Sequence, residues 1–350
     1  MGVIVSKRQF SVQKYWEDWA VGHVPALSCK ASDAAGFAAW KAEALPKLDE
    51  LLGAFPAKVP LATDVDYVVE DGDIIRERVV FDSEANMSVP CHVLYAKSMK
   101  KDGTNAAIVC SHGHGPHGND SVAGIVGDPS YQAKIDECNY DYGLQMAKAG
   151  FFVICPDLRG FGERTSIPPL VDDGDRDPCD VYFNVGALFG RYSLMLNIWD
   201  IKCTIDYLET RPEVDASRIG MMGLSYGGTM TTFTTAVEPR IKAADIICYV
   251  TPFQEFAVRH TNFCGSQFVP EIYNFFDTHD VAGLIAPRPL LVEMGIFDKC
   301  FYFKDTIRGY EQIQKIYAAA GASDRLHKDI FPGGHAFGGN VAFDFFRKYL

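Results

Sequence analysis

The sequence predicts an α/β fold, a mostly parallel central sheet with helices on both faces. Three observations predict it. From residue 106 onward, short apolar runs recur: AAIVC, FFVIC, RIGMMGL, ADIICYV, PLLVEMG and RLHKDIF. Strands buried on both faces read as near-continuous apolar runs, whereas a half-wet strand alternates. Segments with helical spacing lie between these runs, so strand and helix alternate along the chain. Two long stretches, 159–190 and 251–287, interrupt the alternation, and connections of that length inside a compact unit usually carry function.

Taken in order, residues 33–53, DAAGFAAWKAEALPKLDELLG, read as a helix with Gly53 as its stop. Residues 64–97 carry the β-branched runs DYVVED, IIRERVVFD and SVPCHVLYA, separated by the turn signals DGD and SEAN. They predict an antiparallel meander. The parallel strands follow. Between them lie YDYGLQMAKAG, RYSLMLNIWDIKCTIDYLETRP, the stretch after Ser225, and YFKDTIRGYEQIQKIYAAAG as helices, with NVAFDFFRKYL as the last. Residues 1–60 are expected to form a helical extension packed on the core, and 61–350 the main α/β domain with both insertions over the carboxyl edge of the sheet. The second insertion is rich in aromatics: Phe253, Phe256, Phe263, Phe268, Tyr273, Phe275 and Phe276. Each either packs the insertion on the body or faces a ligand.

The chain has 350 residues, enough to bury a core without staples. Its formal charge of −12 disfavours nucleic acid and anionic membranes, which need a positive face. None of the ten cysteines forms a CxxC pair, and scattered thiols such as Cys110 and Cys155 inside apolar runs fit a reducing compartment. No secretory h-region and no membrane-spanning run is evident, so a cytoplasmic protein is expected. The opening MGVIVS matches the Gly2/Ser6 acylation pattern, but a single acyl chain would anchor weakly.

Gly223-Leu224-Ser225-Tyr226-Gly227 follows a strand and opens a helix. In that setting G-x-S-x-G forms a sharp elbow that exposes a strained serine, and its partners follow in the order serine, acid, histidine. A serine hydroxyl needs a base. His335, in Gly333-Gly334-His335 after the last strand, is placed to supply it, whereas His260 and His279 lie in the insertion and His327 lies in the strand. Asp298, just beyond PLLVEMG, is the candidate acid. Glu255, one strand earlier, competes with it, and Glu293 should still lie within the strand. The N–H of Tyr226 is a candidate oxyanion donor. Arg159 and Arg164, in DLRGFGER, either fix their loop by pairing with a neighbouring aspartate or meet a substrate carboxylate.

The segments SHGHG, CPDLRGFGER, GLSYGG, APRPLLVEMGIFD and FPGGHAF, spanning roughly residues 106–340, resemble the α/β-hydrolase superfamily, in its dienelactone-hydrolase-like and acetyl-xylan-esterase-like branch. The resemblance implies a Ser-His-Asp ester hydrolase with no metal and no organic cofactor. It also implies a second oxyanion donor at the N–H of His114. Partners then reduce to a small-molecule ester, with a homo-oligomer left open. A serine peptidase or amidase, or a non-catalytic binding member, are the alternatives. The segment SHGHGPHG also raises a metal site of His112, His114 and His117 with Asp120 or Cys110 nearby. A complete metal-free mechanism instead makes it a glycine-shaped loop.

Overall fold

The computed structural model describes residues 8–127, 129–165 and 177–350. The acylation pattern at MGVIVS and the middle of the first insertion lie outside the described residues. The described chain begins with helices α1 (Val12–Ala20) and α2 (Ala34–Leu52). The antiparallel meander β1 (Asp64–Asp71), β2 (Ile74–Glu84) and β3 (Met87–Ala96) follows, as the turn signals predict. Then come β4 (Asn105–Ser111), α3 (Pro129–Cys138), α4 (Tyr142–Lys148), β5 (Phe152–Pro156), α5 (Pro178–Ala187) and α6 (Ser193–Leu208). The second half runs β6 (Val214–Leu224), α7 (Tyr226–Val237), β7 (Ile241–Ile247), α8 (Ile272–Phe275), α9 (Thr278–Gly283), β8 (Leu290–Gly295), α10 (Phe303–Ala319), β9 (Leu326–Phe331) and α11 (Ala342–Tyr349).

The strands form one nine-stranded sheet in the order β1-β2-β3-β5-β4-β6-β7-β8-β9. Pairing is antiparallel as far as the β3/β5 seam and parallel from there on. Side chains alternate across a strand, and this splits the core into two layers. Ala107, Val109, Ile154, Met221, Ile246 and Val292 point to the face covered by α2, α6, α7 and α10. Ile108, Cys110, Val153, Met222, Ile247 and Leu291 point to the face covered by α4 and α11. Both layers exclude water, which is why these strands read as unbroken apolar runs. At the far end of the sheet, β1 is different. All its residues are exposed, and β2 is its sole strand partner among the described residues.

The extension lies on the body through α2, whose Phe37, Trp40, Ala44, Leu48 and Leu52 are buried in the larger layer. Backbone amides of Ala26 and Leu27 donate to Asn274 and Phe275 in the second insertion, at 2.8 and 2.9 Å. The structure departs from the sequence reading at β7 and in the first insertion. β7 covers 241–247 rather than 244–250, because Cys248 takes a positive φ of 51° and ends the extended run. Cys248, Tyr249 and Val250 are apolar and fully buried without being strand, and this extends the apolar run past the strand. The described part of the first insertion contains the helix α5, which the Gly-, Pro- and Asp-rich composition of the insertion does not announce. Among the described residues, no helix is long and apolar enough to cross a membrane.

Candidate active site

β6 runs straight into α7 through Ser225, whose φ of 63° and ψ of −118° are strained for any residue with a side chain. The glycines around it make this turn possible. A Cβ on Gly227 would collide with the Ser111 carbonyl of the neighbouring strand. A Cβ on Gly113 would come within 2.7 Å of the Leu224 carbonyl oxygen and 3.0 Å of the Ser225 Cβ. The loop after β4 therefore rests directly against the elbow. Its Gly113 amide donates to the Tyr140 hydroxyl at 2.6 Å. The Tyr226 amide opens α7, where first-turn N–H groups have no partner within the helix.

His335 follows β9, and its Nδ1 lies 2.9 Å from Asp298 Oδ2 in the loop after β8. The other oxygen of Asp298 accepts the amides of Cys300 and Phe301 at 2.7 and 2.9 Å. Burial pushes the Asp298 carboxyl up, but the hydrogen bond and charge of His335 and these two amides outweigh it and hold it below its ordinary value. The imidazole stacks on Phe301, with ring centres 5.7 Å apart. Glu255, the competing acid, is buried elsewhere, in ion pairs with Arg259 at 2.8 Å and Arg308 at 3.2 Å. His260 pairs with Asp305, and His279 lies near Asp280. Glu293 stays within β8 and accepts the Gly338 amide at 2.7 Å.

Ser225 and His335 line one cavity of about 400 Å³ with His114, Lys134, Asp177, Asp180, Phe263, Cys264 and Phe301. A smaller cavity of about 280 Å³ adjoins it through His114 and Lys134. Of the insertion aromatics, Phe253, Phe256 and Phe276 are buried in the core, and Phe263 reaches the cavity. Arg159 and Arg164 both grip the buried Asp200, at 2.6 and 2.9 Å, which is the loop-fixing arrangement.

The three histidines of SHGHGPHG do not converge. His112 is fully buried and its Nε2 accepts the Leu158 amide at 3.0 Å. His117 meets the Ser130 hydroxyl at 3.2 Å and the ring of Tyr131. His114 is held between Phe161 and Tyr226 and directs Nε2 at Cys264 Sγ, 3.0 Å away. Cys179 Sγ lies 3.7 Å from the same nitrogen. The hydrogen bond from Cys179 holds the Cys264 thiol low, at about 5, against its burial and with help from His114. This Cys179–Cys264–His114 contact, like the Phe301 stack, had no signal in the sequence, since its members come from three separate segments.

The Dienelactone hydrolase family matches residues 135–340, a span that holds Ser225, Asp298 and His335 and leaves out His114. A Bacillus subtilis protein named as a hydrolase, YtaP, is 24% identical over 289 residues, covering 81% of this chain and 90% of that one. Solved structures share the fold. One, from Bacteroides fragilis and titled as an acetyl xylan esterase, superposes with a TM-score of 0.75 at 16% identity, over 93% of this chain and 83% of that chain. The glucuronoyl esterase of Solibacter usitatus gives a TM-score of 0.67 at 16% identity, over 93% and 97%.

Proposed function

The chain belongs to the dienelactone hydrolase family, and from that premise we propose that it is a serine carboxylic-ester hydrolase working through an acyl-enzyme. One observation carries the reading: a strained elbow serine and a carboxylate-held histidine open into the same cavity. With Asp298 ionised, Nδ1 of His335 keeps its proton as the donor to Oδ2, and Nε2 is left free as the base. Nε2 takes the Ser225 proton as the hydroxyl oxygen attacks the ester carbonyl. The tetrahedral oxyanion receives the N–H of Tyr226 and that of His114. Nε2 then returns its proton to the leaving alcohol. Water, deprotonated by the same nitrogen, attacks the acyl-enzyme, and collapse of that intermediate frees the acid and Ser225.

A cavity of about 400 Å³ with Phe263 and Phe301 on its walls and Lys134, Asp177 and Asp180 at its polar side suits a small ester on a hydroxyl-rich alcohol. The acetyl xylan esterase among the structures that share the fold supports the same class, a short acyl ester of a sugar. A fluorophosphonate probe should label Ser225, and Ser225→Ala should abolish hydrolysis of acetylated sugars and short aryl esters with its circular dichroism unchanged. Near-normal turnover by that variant would sink the mechanism. Cleavage of amides in preference to esters would turn the reading to a peptidase or amidase, and no adduct at Ser225 would leave a binding protein.

A further inference from the structure

We infer that His114, Cys179 and Cys264 form a three-ligand zinc site in the wall of the cavity, a site independent of whether Ser225 is a nucleophile. Nε2 of His114 and the two sulfurs lie within 4.8 Å of one another. Asp177 Oδ1 approaches Cys179 Sγ at 3.1 Å. Two thiolates and an imidazole are a donor set for zinc with a fourth position left for water, Asp177 acts as an outer partner of the Cys179 sulfur, and soft sulfur disfavours magnesium and calcium. With zinc bonds of standard length, a nitrogen and a sulfur on one ion stand roughly 3.6 Å apart. The Cys179–His114 separation of 3.7 Å already has that spacing. The Cys264–His114 separation of 3.0 Å is a hydrogen-bond distance and must open by about half an ångström.

The two sulfurs are packed at the edge of the core and also have polar partners. Cys179 is 1% exposed and Cys264 is 9% exposed, yet both sulfurs sit among polar atoms. The Ser266 hydroxyl lies 2.8 Å from Cys264 Sγ, the type of outer contact that orients a thiolate ligand. The His114 ring cannot turn freely between Phe161 and Tyr226, at 5.2 and 5.1 Å. Cys110 and Cys155, by contrast, are buried on β4 and β5 in the other core layer, outside any such cluster of donors among the described residues. A disulfide between Cys179 and Cys264 would leave the His114 nitrogen unused, which is why the metal accounts for more of the arrangement. On binding, the protons shared among the two thiols and the imidazole pass to water, and two sulfur–zinc bonds and one nitrogen–zinc bond form. The ion would tie the loop after β4, the start of α5 and the second insertion into one wall.

The full-length protein is reduced, stripped with a chelator and titrated with zinc against a competing chelator. One zinc per chain is expected, with proton release to the buffer. Cobalt in its place should show thiolate-to-metal charge-transfer absorption. Cys179→Ser and Cys264→Ser should lose both signals, while Cys110→Ser and Ser225→Ala keep them, so that failure of the metal site and failure of the hydrolase reading are separable. Should either serine variant fail to fold, the cobalt spectrum of the unaltered chain decides alone. No zinc at micromolar free metal, no charge-transfer band, binding unchanged in folded cysteine variants, or a Cys179–Cys264 disulfide that resists the reductant and so excludes zinc would each overturn the proposal.

Discussion

Two buried carboxylates flank the His335 loop and titrate in opposite senses. Asp298 is held below its ordinary value by His335 and two amides, against burial. It therefore contributes stability that is present above about pH 4 and lost as pH falls through its lower folded value. Asp298→Asn should leave the fold in place and lower kcat by about 10⁴-fold, because the imidazole loses its tautomer. Stopped-time ester assays at saturating substrate check this. Glu293 is pushed up from 4.5 to about 8, by burial first and then by the charge of Asp329. Between those values the folded chain keeps a proton that the unfolded chain has released, so stability falls as pH rises across that window. The neighbouring Asp245 is also pushed up, by burial and then by the charge of Glu293, so the fall is a slope rather than one step. Glu293→Gln keeps an acceptor for the Gly338 amide and should flatten the decline, raising the melting temperature at pH 8 by a few degrees. At this scale the sequence exposed what local chain geometry dictates: an elbow serine, a histidine after the last strand and an aspartate after the one before. It hid what depends on distant convergence. Cys264 meets His114 across 150 positions, and no spacing announces such a contact.

Among the elements, legibility followed burial. Strands covered on both faces announced themselves as apolar runs, and the meander by its turns. Where apolarity and extension part company, as at Cys248, the boundary slipped, because a buried turn and a buried strand end have the same composition. α5 escaped because an insertion helix that packs mainly one side chain, Cys179, shows no apolar stripe. The loop after β4 is the element with least tolerance. Gly113 touches the Leu224 carbonyl, the Tyr140 hydroxyl and the elbow itself. Gly113→Val should cost about 1–3 kcal/mol of stability by overpacking and remove most ester hydrolysis by moving the loop off Ser225. Urea unfolding followed beside activity separates the two effects, and a variant with normal turnover would show the loop to be dispensable.

Across the whole molecule, the formal charge of −12 sets the long-range field. It repels anionic substrates and leaves neutral ones alone. Raising ionic strength from about 0.05 to 0.5 M, which shrinks the screening length several-fold, should leave kcat/KM for a neutral acetyl ester unchanged and raise it for an ester carrying a carboxylate. Equal salt dependence for both would mean that the cavity's own Lys134, Asp177 and Asp180 govern approach. The sheet order also places the candidate site centrally. β6, which delivers Ser225, has β4 on one side and β7 on the other, so loops from both neighbours overhang it.

The outermost strand has a separate consequence, for how copies of this chain tolerate one another. β1 offers Val65, Tyr67, Val68 and Val69 at 41–57% exposure along an edge that pairs with no further strand among the described residues, a template onto which a second chain could zip. The same strand, DVDYVVED, carries Asp64, Asp66, Glu70 and Asp71. Two such edges brought side by side would set carboxylate against carboxylate. The fence is electrostatic rather than steric, so it thins as salt thickens, and a concentrated stock in strong brine is where this hydrolase would first begin to stick to itself.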